Sequence, residues 1–235
     1  MAFTLKSIVP WGRSFDEYVA MFALSNADLQ KKILGCSDGP ASFNCVLTQK
    51  GGHIISVDPL YQFNAQEIEK RIHDTYQEVI EQADRNKHEF VWNSISSVKE
   101  LGRIRMEAMK SFLSDYPKGL SEGRYVVGSL PALPFARKRF DIALSSHFLF
   151  LYSSQLSEEF HIQSIKELCR IAHEVRVFPL LELGSIKSRH IESVKKKLID
   201  KGLIIAIEKV PYEFQKGGNE MMTIMDKCTK DNPGR

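Results

Sequence analysis

Ile33-Leu34-Gly35-Cys36-Ser37-Asp38-Gly39-Pro40 decides how this chain folds. It reads as a strand over 31–35, a tight turn, and then a helix over about 41–50 that Gly51 and Gly52 stop. A second strand follows at 53–57 and ends in Asp58-Pro59. Strand, turn, helix, strand is the unit of an open, mostly parallel sheet, whose ligands bind at the carboxyl ends of its strands. Gly35 and Gly39 allow positive φ and a close ligand approach, and the start of the helix offers unbonded N–H groups. Asp58 lies 23 residues beyond Gly35 at the end of the next strand. From there a carboxylate accepts hydrogen bonds from ribose hydroxyls.

Upstream, Ser14 is placed to cap an amphipathic helix over 15–24, with Phe15, Tyr18, Val19 and Phe22 on one side. Residues 1–30 thus form an N-terminal helical segment. Downstream, a polar, Glu-rich helix at 64–83 and another at 98–113 precede a third strand at 124–128. Two helices exceed a minimal crossover, so 84–122 is expected to be an insertion or cap. Strands at 140–145 and 174–183 flank a helix at 158–172, and Pro179 demands a bulge or an early end in the later strand. After a helix at 188–201, strands at 203–210 and 220–226 share only a short link, which makes them antiparallel. The expected fold class is α/β: a seven-stranded, mostly parallel sheet with an antiparallel last strand and helices on both faces. One domain spans 1–235, with a tail at 227–235.

Bulk properties agree. A chain of 235 residues buries a core without disulfide or metal staples. The four cysteines, Cys36, Cys45, Cys169 and Cys228, have no paired spacing, which fits free thiols in a reducing compartment and no metal site. A net charge of +3 is too mild to indicate nucleic acid or membrane. Lys6, Arg13, Asp16 and Glu17 break up the N-terminus as a signal peptide. No apolar run approaches the roughly 18–20 residues of a membrane helix. The expected location is cytoplasmic.

Two ligand classes use a glycine turn followed by a ribose acid. A dinucleotide fingerprint needs glycine where Ser37 and Pro40 stand, and Asp38 sets a negative charge where a pyrophosphate would lie. S-adenosylmethionine has no phosphate, and its ammonium and sulfonium favour a carboxylate at Asp38. On these residues the chain resembles the class I methyltransferase family. Leu34-Gly35-Cys36-Ser37-Asp38-Gly39 is similar to its first motif and Ser56-Val57-Asp58 to its second. Gly128-Ser129-Leu130 is similar to the segment that touches adenine, and Phe140-Asp141-Ile142-Ala143-Leu144-Ser145 to the fourth motif. The resemblance covers about 31–226. It implies a Rossmann-like methyltransferase fold, S-adenosyl-L-methionine as cofactor, and in-line methyl transfer to a small-molecule acceptor. It also implies cofactor contacts from Gly35, Cys36, Ser37, Asp38, Gly39, Asp58, Pro59, Leu60, Ser129, Leu130 and Ser145. The family often has an acid at the position of Ile33, a glycine at Ser37 and an acid at Ser129. Asp38 is the candidate substitute for the first, and the Ser129 hydroxyl still suits the adenine amino group.

Further candidates surround this set. His147 follows the fourth strand as a candidate general base with a pKa near neutrality, and Tyr152 is a second candidate. Phe148, Leu149, Phe150 and Leu151 beside them equally fit a packed structural segment. Gln215 and Asn219, in the link 211–219, are candidates to orient a polar substrate, or parts of a plain turn. Trp11-Gly12-Arg13 is a candidate lid. Asp38 also reads as a helix cap, Cys36 as buried filler, and Leu60 and Tyr61 as adenine neighbours or turn closers. Arg137-Lys138-Arg139 and Lys195-Lys196-Lys197 read as solvated surface. A nicotinamide-dependent oxidoreductase and a non-catalytic S-adenosylmethionine-binding or partner-docking protein stand as alternatives.

Overall fold

The computed structural model describes residue 3 and residues 9–227. The tail expected at 227–235, with Cys228, therefore lies outside the described residues apart from Lys227. In chain order the elements are α1 (Phe15–Met21), β1 (Lys32–Cys36), α2 (Phe43–Gln49), β2 (His53–Val57), α3 (Ala65–Arg85) and α4 (Val98–Ser121). Then come β3 (Tyr125–Val126), β4 (Phe140–Ser146), α5 (Glu158–Ile171), β5 (Ala172–Phe178), β6 (Leu181–Glu182) and β7 (Ile186–Lys187). α6 (Ile191–Asp200), β8 (Leu203–Lys209) and β9 (Glu220–Asp226) complete the chain. Seven strands form one sheet in the order β3-β2-β1-β4-β5-β9-β8. All pairs are parallel except those made by β9, which runs against both β5 and β8. The expected α/β sheet with one reversed strand is the observed one.

Side-chain alternation along the strands divides the core into two layers. Ile33 of β1 and Ile142 and Leu144 of β4 join Tyr18, Met21, Phe22 and Phe43 beneath α1 and α2. Leu34 and Cys36 of β1 and Ala143 of β4 face Ile165, Leu168, Val194 and Leu198 of α5 and α6. Burial on both faces is what a parallel sheet requires, and it explains the near-continuous apolar runs. Helix starts follow side-chain caps. Ser14 with Glu17, and Asn64 with Glu67, make complete capping boxes, and Ser97 and Ser157 accept from backbone N–H groups one turn on.

Three expectations change. β5 ends at Phe178 because Pro179 cannot continue the ladder, and residues 181–187 fold back as the β6–β7 hairpin. α4 continues past residue 113 and through Pro117 to Ser121. Met109, Phe112 and Tyr116 on its buried face pack with Tyr61, Ile68, Ile72 and Tyr125, and the Tyr116 hydroxyl donates to the Tyr61 and Phe63 carbonyls at 2.9 Å each. That burial carries the helix past a proline near its end. The stretch 84–122 accordingly divides. Its greater part is α4, a layer helix packed on α2, α3 and β3, whereas 86–97 is a loop over the strand ends. Among the described residues no helix is long and apolar enough to cross a membrane.

Candidate functional site

The sheet order turns outward from β1 and β4, so a crevice opens at their carboxyl ends, where such folds bind ligands. A cavity of about 570 Å³ lies there. The turn after β1 forms its floor. Ser37 and Gly39 both take left-handed backbone, with φ of 59° and 53°. Gly39 therefore meets the expectation of positive φ, and Gly35 does not. Gly35 is needed because Asp38 folds back over it: a Cβ there would stand 1.7 Å from Asp38 Oδ2. Ser37 holds a conformation that favours glycine.

Asp38 lines the cavity but is largely buried. Its Oδ1 accepts from the Tyr18 hydroxyl at 2.8 Å and its Oδ2 from the Ser56 hydroxyl at 2.7 Å. It caps no helix, since α2 begins after Ser42 without a side-chain cap. Burial pushes its carboxyl up to about 7, with the Asp58 charge adding to the rise and the two hydroxyl bonds opposing it. Asp58 accepts from the Gly39 N–H at 2.9 Å through Oδ2 and from the Leu60 N–H at 2.7 Å through Oδ1. Each oxygen keeps a lone pair for a ligand. Burial raises its carboxyl too, against those two backbone bonds.

Ser37, Asp38, Gly39, Asp58, Pro59, Leu60, Ser129 and Leu130 all line the cavity, brought together from the ends of β1, β2 and β3. Gly35, Cys36 and Ser145 do not. All three are buried, and the one-residue alternation of β4 puts Ser146 on the cavity in place of Ser145. Leu60 faces the space, whereas Tyr61 is buried and donates to the Gly39 carbonyl at 2.9 Å, closing the turn. His147 and Tyr152 both line the cavity. Contrary to the expectation of a near-neutral pKa, burial together with the charges of Arg13 and Arg105 holds the His147 imidazole well below 6.5. It is a neutral ring at physiological pH. Gln215 lines the cavity; Asn219 does not, because its amide donates to Glu213 at 3.2 Å.

Trp11 and Arg13 of the candidate lid line the cavity, whereas the charge Arg13 brings to it, the face of α3 and the pairing over its far end escaped the sequence reading. Arg13 lines the cavity with its Nη1 donating to the Trp11 carbonyl at 2.6 Å and its buried Nε unbonded. Burial and Arg105 lower its guanidinium to about 10, so it stays a cation at neutral pH. α3 presents Arg71, Thr75, Val79 and Ala83, spaced by four and hence on one helix face, along a wall of about 18 Å. The roof is a backbone pairing of two distant segments. Val91 N–H donates to Phe214 O at 2.7 Å and Lys216 N–H to Glu89 O at 2.9 Å, with Phe90 and Phe214 stacked at 4.8 Å. Phe3, Val79, Phe90, Leu101, Leu183 and Phe214 make this end of the cavity apolar.

Solved structures with a similar arrangement include magnesium protoporphyrin IX methyltransferase of Synechocystis PCC 6803 with bound S-adenosylmethionine, at TM-score 0.48 and 12% identity over 91% of this chain and 78% of that one. A TehB-like S-adenosylmethionine-dependent methyltransferase of Corynebacterium glutamicum gives TM-score 0.44 and 14% identity over 84% of this chain and 81% of that one. No protein-family model matches the chain. An uncharacterized protein of Methanocaldococcus jannaschii is 36% identical over 222 residues, covering 94% of this chain and 97% of that protein. The chain belongs to the family of that protein.

Proposed function

We propose that the chain transfers a methyl group from S-adenosylmethionine to a small acceptor. The observation that carries this reading is the pair of carboxylates, Asp38 and Asp58, on either side of the Gly39 turn. A pyrophosphate there would be repelled by two carboxylates, one buried and one half-buried; a cationic amino-acid tail and a ribose would not. S-adenosylmethionine, when bound, supplies a methyl group already activated on a sulfonium. Asp58 accepts from the ribose hydroxyls, Leu60, Ser129 and Leu130 flank the base, and Asp38 attracts the ammonium. Arg13, a half-buried cation that makes no ion pair among the described residues, takes the carboxylate of the tail. The apolar end under Phe90 and Phe214 excludes water and seats the acceptor. Transfer of this kind needs mainly alignment and desolvation, which enclosed walls provide.

The charge inventory gives two expected results. Arg13→Met should weaken S-adenosylhomocysteine at least about tenfold, while 5′-methylthioadenosine, which lacks the amino-acid tail, keeps its affinity. Calorimetric titration of both ligands checks this. A melting temperature raised by NADH and not by S-adenosylmethionine would overturn the whole reading. The second concerns pH. Asp38 is protonated below about 7 and charged above it. Affinity for the cationic tail should therefore rise several-fold between pH 6 and 8, with proton release on binding at the acid end. Asp38→Asn should flatten that profile.

A further inference from the structure

One end of the cavity is polar and the other is not, and that division limits what the second substrate can be. We infer that the methyl acceptor is an uncharged molecule with an apolar body roughly one or two rings across, inserted under Phe90 and Phe214, an inference that rests on the methyl-transfer reading above.

Charge is confined to the cofactor end and the mouth. Among the described residues the charged side chains on the cavity wall are Arg13, Asp38, Asp58, Arg71 and Asp74. Asp38 and Asp58 belong to the turns after β1 and β2. The Arg13 carbonyl accepts from the Ser42 N–H at 3.0 Å, which holds Arg13 beside the start of α2. The Arg71 guanidinium stacks on the Phe63 ring at 3.8 Å, just beyond the turn that carries Asp58. Asp74 pairs with Lys70 at 2.6 Å, and both side chains are exposed. Val79 and Ala83 lie about 12 Å and 18 Å further along α3 from Arg71, packed in one apolar cluster with Phe3, Phe90 and Leu101.

Polar groups bordering the apolar end are engaged with the protein itself. Thr75 Oγ1 donates to the Arg71 carbonyl at 2.9 Å. In the roof, the Val91 and Lys216 N–H groups bond across the pairing, and the Gly218 N–H donates to the Gln215 carbonyl at 2.8 Å. The Leu183 N–H donates to the Leu151 carbonyl at 3.1 Å. A charged or sugar-like molecule would leave its water there and find few partners, whereas an apolar one gains by burial. Gln215, opposite Phe90 in the roof, lines the cavity with a side-chain amide that makes no hydrogen bond among the described residues. It leaves a place for one hydrogen-bonding group on the acceptor. The wall from Thr75 to Ala83 runs about 12 Å, which sets the length of the apolar body.

Calorimetric titration in saturating S-adenosylhomocysteine tests the class, with 2-naphthol, indole and 1-octanol set against 2-naphthoate, uridine and glucose. The tightest binder should be one of the neutral apolar probes, at least about tenfold ahead of every charged or sugar probe, with a negative heat-capacity change. Val79→Phe fills the apolar end and should weaken that binder at least about tenfold, while S-adenosylhomocysteine keeps its affinity. Leu183→Asn, at a half-buried residue of the β6–β7 hairpin, should weaken it several-fold and serves if Val79→Phe does not fold. Tightest binding by a charged or sugar probe, no binding by any probe, or unchanged affinity in a folded variant overturns the assignment. Titration of S-adenosylhomocysteine alone reports separately on the cofactor. If it does not bind, the methyl-transfer reading fails, and the probes titrated without it still read the apolar end.

Discussion

Asp58→Ala is expected to weaken S-adenosylhomocysteine binding at least about 100-fold, or about 2.7 kcal/mol. Two contributions add. The ribose loses an ionised acceptor, and hydrogen bonds to charged groups are worth about 1.5–3 kcal/mol each. The turn also loses its internal tie, because Asp58 accepts from the N–H groups of both Gly39 and Leu60. Asp58→Asn separates these effects only in part. Its amide can accept one of the two N–H bonds but meets the other donor with a donor of its own, so the asparagine variant should also bind poorly. Calorimetry on folded protein, checked by an unchanged thermal transition type, measures both. Wild-type affinity in Asp58→Ala would remove the ribose assignment and with it the main support for the cofactor.

What the sequence disclosed about this site follows the range of the interactions involved. Asp58, Gly39 and Leu60 lie at the ends of two neighbouring strands, and spacing along the chain places them. The reversed β9 was legible because no helix fits between 203–210 and 220–226. Ser145 and Ser146 were confused because strand alternation has period two, and a strand end ambiguous by one residue exchanges the side chain turned away from the cavity for the one that lines it. Gly35 was recognised but for the wrong reason: its constraint is the Asp38 carboxyl above it, a contact three residues away that no pattern of glycines reveals. Pairing of 89–91 with 214–216 joins segments more than a hundred residues apart and has no local signature. The face of α3 at 71, 75, 79 and 83 did have one, a repeat of four inside a helix otherwise marked by its charge.

Glu17→Gln is expected to destabilise the fold by about 3–5 kcal/mol, lowering the melting temperature by roughly 6–20 °C. Arg105 is the largest fully buried side chain, 1% exposed, and Glu17 is its only ion-pair partner among the described residues. Glu17 Oε2 also accepts from Ser14 N–H at 2.9 Å, and Oε1 accepts from the Tyr212 hydroxyl at 2.9 Å. One carboxylate therefore caps α1, neutralises a guanidinium on α4 and fixes the link after β8. The amide keeps the shape but leaves Arg105 charged and uncompensated in a dry site that already holds the Arg13 cation. Burial works to raise the Glu17 carboxyl, yet Arg105, with Ser14 and Arg13, outweighs it and brings the group down to about 2 from 4.5. The unfolded chain thus binds more protons between those values. The stabilisation is complete above about pH 4.5 and is lost as pH falls toward 2. Urea unfolding across that range should show a steep acid limb in wild type and a shallower one in Glu17→Gln. Adding Arg105→Met to Glu17→Gln removes the stranded charge and should restore much of the stability, since an apolar side chain of similar length fills the same space. A double variant no more stable than Glu17→Gln alone would show that the cost lies in the lost cap and the Tyr212 bond, and not in the buried charge.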